Sequence, residues 1–329
     1  MIEHFLESLN QFSIQGGQSV LLTCSGGCDS MAMAALFAKT LSHHQCTLRL
    51  LHVQHGLRPK EETDQDIMVI QNLCEKYRLP LDIVHADPQA WRKDAGLEAD
   101  ARHLRYKIFS QVASQYRCDA IATAHTWDDH LETVYMRLMQ KYSAEGLAGI
   151  PARRGSLIRP VLCFRKQELK DFLRQNHIPW HEDSTNNDQR ILRNRLRREL
   201  KKMQESVPEF SAQLVYLAQE SKKLEKKLNI YMQGLFQHEQ YHDQSIQFPL
   251  PLFLKQPPLF QQKLIYHWFD TLMRGDCPPD FRLPRRFVIS MRFTAGPIVL
   301  RGYGIILRKK KNCLFFSKET KNEYKLSTK

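Results

Sequence analysis

Residues 20–31 read VLLTCSGGCDSM, an apolar run that stops at two glycines framed by serines and followed by an aspartate. An alanine-rich helical pattern comes next. Gly26 and Gly27 allow a sharp turn in which the backbone can approach a ligand closely. Backbone N–H groups, the start of the helix and the hydroxyls of Ser25 and Ser30 can then form an anion cradle. The stretch therefore predicts a strand–loop–helix unit that binds an anion.

Strand-like and helix-like patterns alternate through the first half of the chain. The strand candidates are Val20–Thr23, Leu48–Val53, Leu81–His85, Ala120–Ala124 and Leu157–Leu162, and the helical patterns cover about 30–41, 62–77, 98–115 and 127–140. This alternation indicates βαβ units and an α/β fold with a Rossmann-like, mainly parallel sheet. Ligands bind such sheets at the carboxyl ends of the strands. Four features fall at those ends: the SGGCDS loop (Ser25–Ser30), His52–Arg58, Asp87–Trp91 and His125–Asp129.

The alternation stops beyond about residue 186. Residues 210–235 read as a long helix with a leucine stripe. The stripe favours a helical hairpin core over a dimerising coiled coil. A homodimer is the alternative that this pattern leaves. An amphipathic helix is predicted over about 259–273, and antiparallel hairpins are predicted at the end of the chain. The predicted division is 1–186 for the α/β domain, 187–209 for a basic helical linker and 210–329 for a smaller α+β domain.

The charge of the chain is strongly positive, with 48 Lys and Arg against 35 Asp and Glu, a net of +13. This excess fits a nucleic-acid partner, although a merely basic soluble protein would show it too. No stretch approaches the ~20 apolar residues of a membrane helix, and the N-terminal MIEHFLESLNQF lacks the basic start of a secretory signal. Eight cysteines without CxxC spacing indicate reduced thiols. We therefore expect a cytoplasmic protein with no membrane contact.

The SGGCDS loop differs from the usual phosphate loop because the chain has no GxxxxGK. Asp29 beside a phosphate site makes sense if it holds a divalent cation or a cationic substrate group. Two glycines after a strand are also a common turn. These physical arguments alone therefore do not decide between a nucleotide-binding site and an ordinary turn. The string SGGxDS, however, resembles the pyrophosphate-binding loop of the N-type ATP pyrophosphatases, which activate a carbonyl by adenylation and release pyrophosphate.

Further stretches narrow the resemblance. They are His52–Arg58, Glu98–Tyr106, Ala124–Thr133 with Gly146–Pro151 downstream, and Arg159-Pro160 with Trp180–Asp188 running into Arg193–Arg197. In this order and spacing, about residues 18 to 200 resemble the tRNA(Ile)-lysidine synthetase family. The resemblance implies ligation of free L-lysine to C2 of cytidine 34 in tRNA(Ile) with a CAU anticodon. ATP with Mg²⁺ would first adenylate the C2 oxygen, and lysine would then displace AMP.

The resemblance also implies roles for individual residues. The expected ATP-binding residues are Ser25, Gly26, Gly27, Cys28, Asp29, Ser30, His52 and His125, with Asp29 as the candidate Mg²⁺ ligand. The expected catalytic residues are Asp29, Arg102, Asp129 and Glu132. The expected lysine-binding residues are Asp128, Asp129 and Glu132. The expected tRNA-binding residues are Arg190, Arg193, Arg195, Arg197, Arg308, Lys309 and Lys310.

The helix after His125 supports part of this picture. Asp128 and Glu132 lie four residues apart and so share a face, where carboxylates suit a diammonium substrate. Asp129 could instead form a capping box with Thr126, and both roles can hold. The apolar residues Leu131, Val134 and Leu138 are expected on the buried side. For Arg102 the alternative is a surface salt bridge with Glu98, and for the arginines of 190–202 it is a solvated face.

Two positions depart from the family pattern: Thr126 replaces the second of two histidines, and His130 replaces glutamine after the Asp pair. One rival reading is a 2-thiocytidine synthetase of the same superfamily, but such enzymes carry CxxC pairs that this chain lacks. The other rival is a non-catalytic module that binds ATP or tRNA. An assay of ATP–pyrophosphate exchange separates that module from an enzyme.

Overall fold

The structure is a computed structural model. It describes residues 1–14, 16–54, 60–86, 97–140, 142, 144–182, 192–273, 287–289, 298–302 and 305–318, with the backbone alone at 60–61, 97–103, 145, 192–194, 270, 273 and 298–302. The chain forms two compact units, Met1–Lys222 and Lys223–Lys329. The division into domains of 1–186 and 210–329 with a linker stays a prediction.

The first unit is built on a six-stranded sheet. Its strands are β1 (Ser19–Thr23), β2 (Thr47–Gln54), β3 (Leu81–His85), β4 (Ala120–Ala122), β5 (Arg153–Arg154) and β6 (Leu157–Ile158). Their order is β3-β2-β1-β4-β6-β5, with all neighbours parallel except β5 and β6. The predicted Rossmann-like sheet is confirmed. The strand order reverses between β1 and β4, so a ligand crevice is expected at their carboxyl ends.

Helices cover both faces of this sheet, and further helices follow in the chain. The described α-helices up to residue 236 are α1 (Ile2–Asn10), α2 (Cys28–Lys39), α3 (Leu41–His44), α4 (Lys60–Tyr77), α5 (Leu97–Gln115), α6 (Trp127–Met139), α7 (Lys166–Gln175), α8 (Leu192–Ser206) and α9 (Phe210–Phe236), which continues into the second unit. Every residue of α2 from Met31 to Phe37 is 0% exposed. A helix that is apolar all round must lie inside a core. Side chains of α1, α4 and α7 join it there, while those of α5 pack on the opposite face around Leu21 and Ile121.

A separate apolar cluster joins α6 to α8. Leu131 and Val134 of α6 are buried with Leu200 of α8, and Leu196 packs against them. The prediction that Leu138 lies on the buried side is wrong, because this side chain is 40% exposed. Leu138 lies in the last turn of α6 and outside the cluster, so the buried stripe ends one turn before the helix does.

The second unit contains an antiparallel sheet. Its strands are β7 (Gln240–His242), β8 (Ser245–Pro249), β9 (Ile298–Gly302), β10 (Ile305–Lys310) and β11 (Cys313–Lys318), in the order β7-β8-β11-β10-β9. The helices α10 (Leu250–Lys255) and α11 (Pro258–Met273) contribute to a core around Trp268, which is fully buried. The predicted smaller α+β region is confirmed. No helix that the structure describes is long and apolar enough to cross a membrane.

The leucine stripe predicted along α9 is only partly buried. Leu214 and Leu235 are 2% and 6% exposed, whereas Leu224 and Tyr231 are 37% and 49% exposed. The homodimer stays a prediction.

Candidate active site at the carboxyl ends of the parallel strands

The SGGCDS loop connects β1 to α2, and its shape depends on glycine. Gly26 has a φ of +87°, which disfavours any residue with a side chain. A Cβ placed on Gly26 would also lie 2.9 Å from Oδ1 of Asp66 in α4. Gly27 is the N-cap of α2, so the helix starts directly behind the turn. The positive end of the α2 dipole therefore faces the predicted ligand position.

The two serines of the loop have different environments. Ser30 is 6% exposed, and its hydroxyl donates to the Gly27 carbonyl at 3.0 Å and accepts the Ser25 backbone N–H at 3.1 Å. The Ser25 hydroxyl lies 3.2 Å from the Ser30 hydroxyl. Ser30 thus braces the turn from inside, while the exposed Ser25 is the hydroxyl that a ligand can reach.

Three buried or half-buried polar residues support the loop from other segments. The backbone N–H of His181 donates to the Gly26 carbonyl at 3.0 Å, and its ring Nδ1 lies 2.8 Å from Oδ1 of Asp66. His52, expected to bind ATP, is 2% exposed, and its Nδ1 lies 2.9 Å from the Cys24 carbonyl at the end of β1. Asp66 and His181 were missed by sequence reasoning, although His181 lies within the quoted Trp180–Asp188 stretch.

Asp29, in the first turn of α2, faces a lysine that sequence reasoning also missed. Nζ of Lys166 lies 3.5 Å from its Oδ2, and the Cys28 thiol donates to its Oδ1 at 3.0 Å. Burial raises the pKa of Asp29, although Lys166 opposes that shift. Burial also lowers the pKa of Lys166, but Asp29, Cys28 and Asp129 outweigh it, so the net shift is upward. Nothing in the sequence separates Lys166 from other surface lysines.

Burial, reinforced by the neighbouring Asp29, raises the pKa of the Cys28 thiol to about 12. Cys28 is therefore a neutral hydrogen-bond donor to Asp29 at physiological pH, not a thiolate nucleophile. Its place in the SGGCDS loop is consistent with packing and with orienting the Asp29 carboxylate.

The two aspartates that begin α6 hold helix ends. Asp129 and Thr126 form a capping box: Oδ2 of Asp129 accepts the Thr126 backbone N–H at 2.9 Å, and the Thr126 hydroxyl accepts the Asp129 backbone N–H at 3.3 Å. This confirms the capping alternative for Asp129. Oδ2 of Asp128 accepts the backbone N–H of Lys166, the first residue of α7, at 2.6 Å. Asp128 therefore fixes the position from which Lys166 reaches Asp29.

Glu132, one turn further along α6, forms a bidentate ion pair with Arg197 of α8. Nη2 of Arg197 lies 2.9 Å from Oε2 of Glu132, and Nε donates to the other oxygen. The Glu132 side chain is 12% exposed and that of Arg197 is 37% exposed. The hydrogen bond to Glu132 raises the pKa of Arg197, and Asp129 and Asp29 act in the same direction. An expected lysine-binding residue and an expected tRNA-binding residue thus neutralise each other.

The two histidines around the start of α6 have separate contacts. Nδ1 of His125 lies 3.1 Å from the Thr123 hydroxyl at the end of β4. Nδ1 of His130 accepts the Ile150 backbone N–H at 3.1 Å, and burial lowers the pKa of His130, which fits a neutral acceptor. A Cβ on Gly149 would lie 2.4 Å from the His130 ring. His130, which replaces the family's glutamine, therefore binds the backbone of the segment GLAGIP (146–151).

The structure describes the remaining expected residues to different extents. Arg190 lies outside the described residues, as do the side chains of Arg102 and Arg193, whose backbones belong to α5 and α8. Arg195 is exposed on α8. In the second unit, Lys310 is exposed on β10, Arg308 and Lys309 are half-buried, and Arg308 donates to the Ser317 hydroxyl at 3.3 Å. Within the described parts of the chain, no group of three or more His, Cys, Asp or Glu side chains is arranged to hold a metal ion.

A glycine-rich turn at the point where the order of a parallel sheet reverses, followed directly by a helix N-terminus, defines a nucleotide-binding α/β domain. The PP-loop domain family matches residues 1–204, and the chain belongs to that family.

Two curated relatives carry the same name. The tRNA(Ile)-lysidine synthase of Treponema denticola is 38% identical over 187 residues, which cover 55% of this chain and 40% of that protein. The tRNA(Ile)-lysidine synthase of Enterococcus faecalis is 31% identical over 266 residues, which cover 79% of this chain and 56% of that protein. The chain spans about half the length of these relatives.

A solved structure shares the fold. The U34-tRNA thiolase from Methanococcus maripaludis, determined with its 4Fe-4S cluster, superposes with a TM-score of 0.58 over 68% of this chain and 78% of that chain. At 18% sequence identity, this likeness shows the fold alone.

Proposed function

We propose that this chain is a ligase that attaches lysine to C2 of cytidine 34 in tRNA(Ile) with a CAU anticodon, so that the tRNA reads AUA codons. The observation that carries the proposal is the similarity to curated tRNA(Ile)-lysidine synthases, which extends over 79% of the chain in the Enterococcus faecalis comparison. The contacts around the SGGCDS loop and the first turns of α6 supply the chemistry that such a reaction needs.

In the first half-reaction, the C2 oxygen of the cytidine attacks the α-phosphorus of ATP, and pyrophosphate leaves. The leaving group carries several negative charges, so its departure is favoured by N–H donors and cations fixed in place. The SGGCDS loop, the N-terminus of α2 and the exposed Ser25 hydroxyl would bind the pyrophosphate oxygens. Lys166, whose charged form is favoured by its neighbours, lies 3.5 Å from Asp29 of this loop and would add a positive charge there. Arg102 is a further expected phosphate ligand. We also propose that His125, which follows β4, contacts ATP.

Mg²⁺ bound with ATP would neutralise part of the phosphate charge during this step. Mg²⁺ takes one or two protein carboxylates and completes its shell with phosphate oxygens and water. Asp29 fits this demand: its carboxylate is half-buried within the SGGCDS loop, and burial disfavours its charge unless a cation is near. Lys166 supplies that cation at 3.5 Å in this structure. Asp29 is therefore the residue that would hold the ion.

In the second half-reaction, the ε-amine of lysine attacks C2, the bond from C2 to the bridging oxygen breaks, and AMP leaves. A lysine amine has a pKa of about 10.4, so it must lose a proton before it attacks. A positioned carboxylate can bind the ammonium and accept that proton. Asp129 and Glu132 are the candidates for that role, while Asp128 holds the backbone N–H of Lys166. Glu132 would bind the ammonium in competition with Arg197.

The tRNA would contact exposed basic side chains. The outward face of α8 carries Arg195, Arg198, Lys201 and Lys202, all exposed. Such residues bind phosphates without reading sequence. Arg190, Arg193, Arg308, Lys309 and Lys310 extend the proposed tRNA contacts. Arg197 is the exception, because its guanidinium is held by Glu132.

The proposal is tested by incubating the protein with ATP, Mg²⁺, isotope-labelled lysine and tRNA(Ile) with a CAU anticodon, followed by mass spectrometry of the nucleosides. We expect labelled lysidine at position 34 and equal amounts of AMP and pyrophosphate. A tRNA with another base at position 34 is the matched control and should give neither product. A protein that binds ATP and tRNA but catalyses neither lysidine formation nor ATP–pyrophosphate exchange would be a non-catalytic binding module, and the proposal would be wrong.

A further inference from the structure

Asp66 and His181 form a contact directly beneath the SGGCDS loop that no step of the proposed reaction uses. Asp66, in the middle of α4, is 2% exposed, and its Oδ1 lies 2.8 Å from Nδ1 of His181. A buried carboxylate is costly unless it accepts hydrogen bonds. Because a carboxylate only accepts, Nδ1 of His181 must carry the proton in this contact. The pair therefore fixes the ring of His181.

The backbone of His181 in turn holds the glycine pair. Its N–H donates to the Gly26 carbonyl at 3.0 Å. A Cβ on Gly27 would lie 4.0 Å from its carbonyl oxygen, so His181 flanks both glycines. The Gly26–Gly27 peptide bond is planar and trans, because the structure contains no cis peptide bond in its described residues. In a trans peptide the N–H points opposite to the C=O. Fixing the Gly26 carbonyl toward His181 therefore directs the Gly27 N–H away from His181.

This orientation has an electrostatic consequence for an anion. If the Gly26–Gly27 peptide flipped, the carbonyl oxygen would take the place of the N–H and would repel phosphate. A glycine pair has little intrinsic resistance to such a flip, because glycine populates positive and negative φ almost equally. An external contact must therefore select the orientation, and the His181 N–H is the contact that the structure shows at Gly26.

We propose that Asp66 and His181 are positioning residues that hold the Gly26–Gly27 peptide with its N–H available to the phosphates of ATP. The inference rests on the proposed function only in taking ATP as the ligand of the SGGCDS loop. Asp66 orients His181, and His181 orients the peptide. Neither side chain contacts the phosphates itself. The predicted signature is a loss of affinity for the phosphates of the nucleotide and not for its base and sugar.

The test measures dissociation constants of ATP and of adenosine by titration calorimetry for the full chain and its variants. His181→Ala removes the ring that anchors the backbone, and we expect the Kd for ATP to rise roughly two- to tenfold, the range of one net hydrogen bond. The Kd for adenosine should stay within about twofold, because adenosine has no phosphate for the loop to hold. The KM for lysine should not change. His177→Asn, an exposed histidine four residues earlier, is the matched control and should bind ATP like the wild type.

A conservative replacement distinguishes a positioning role of His181 from a general loss of folding. His181→Asn keeps a side-chain donor for Asp66, so we expect it to restore ATP affinity to within about twofold of the wild type. Asp66→Ala removes the acceptor for the His181 ring and should weaken ATP binding like His181→Ala. The inference is overturned if His181→Ala binds ATP with wild-type affinity, or if it loses ATP and adenosine affinity in the same proportion. Wild-type protein that binds ATP but forms no lysidine would overturn the proposed function alone.

Discussion

The ion pair between Glu132 and Arg197 predicts a coupled effect on stability and on lysine binding. Glu132→Gln keeps the size of the side chain but removes the charge and one of the two acceptor oxygens. Hydrogen bonds to charged groups contribute about 1.5–3 kcal/mol each. Because Arg197 is 37% exposed, water replaces part of the interaction, and we expect a loss near the lower end, about 1.5 kcal/mol. For a unit of this size that loss lowers the Tm by about 3–6 °C.

Urea unfolding and thermal melts measure this loss, and a double-mutant cycle isolates the pair. Arg197→Met should cost a similar amount, and the double variant should lose less than the sum by about 1 kcal/mol. Arg195→Met is the matched control: it changes an exposed arginine of the same helix and should alter the free energy of unfolding by less than about 0.5 kcal/mol. A coupling energy near zero would show that the ion pair contributes nothing to stability and would refute the expected loss.

The same variant tests the proposed lysine site. Losing a charge-assisted contact to the substrate ammonium should raise the KM for lysine by about tenfold or more. Adenylation of the tRNA should continue, because the SGGCDS loop is unchanged. The two half-reactions must be followed separately, by ATP–pyrophosphate exchange and by transfer of labelled lysine to adenylated tRNA. Wild-type lysine dependence in Glu132→Gln, or loss of adenylation instead, would refute the assignment.

Three further changes have defined outcomes. Burial raises the pKa of Asp29, so its ionised form costs stability at pH 7, and Asp29→Asn should not lower the free energy of unfolding. It should nevertheless abolish adenylation, and near-normal AMP production would contradict the role of Asp29. Arg195→Glu combined with Arg198→Glu should weaken tRNA binding and reduce the slope of log affinity against log salt by roughly 2, with ATP binding as the unaffected control. Gly149→Ala places a side chain at a φ of +71° and in a clash with His130. We therefore expect chemical denaturation to show a free energy of unfolding lower by more than about 1 kcal/mol. An unchanged denaturation midpoint would count against the contact between Gly149 and His130.

Local sequence pattern was sufficient for most of the secondary structure in the first unit. The prediction for β3, Leu81–His85, matches the structure, and the predicted helix at 62–77 differs from α4 (Lys60–Tyr77) only at its start. Periodicity and helix caps depend on residues within a few positions of one another, so they can be read without knowing the fold. The strand predicted at Leu157–Leu162 was too long. In the structure β6 ends at Ile158, before the Arg159-Pro160 turn, because proline removes a backbone donor from the sheet.

The chemistry of the SGGCDS loop was also readable from sequence, because its glycines, serines and aspartate act through their own backbone and immediate neighbours. Its supports were not. Asp66 and His181 are 115 residues apart, and each resembles an ordinary polar residue until α4 and the segment after α7 meet beneath the loop. Periodicity assigns a residue to a face of a helix, but it does not say which element packs against that face.

The partners of the acidic residues in α6 show the same limit. Sequence spacing placed Asp128 and Glu132 on one helix face and predicted a shared substrate. In the folded chain, Asp128 binds the backbone of Lys166, 38 residues away, and Glu132 binds Arg197, 65 residues away. The sequence by itself identified the carboxylates of Asp29, Asp128, Asp129 and Glu132 as candidate groups of the site, but it did not identify Lys166. Only the tertiary structure decided which charged groups neutralise each other, because the energy of an ion pair depends on distance and burial, and both are set by how α6, α7 and α8 pack.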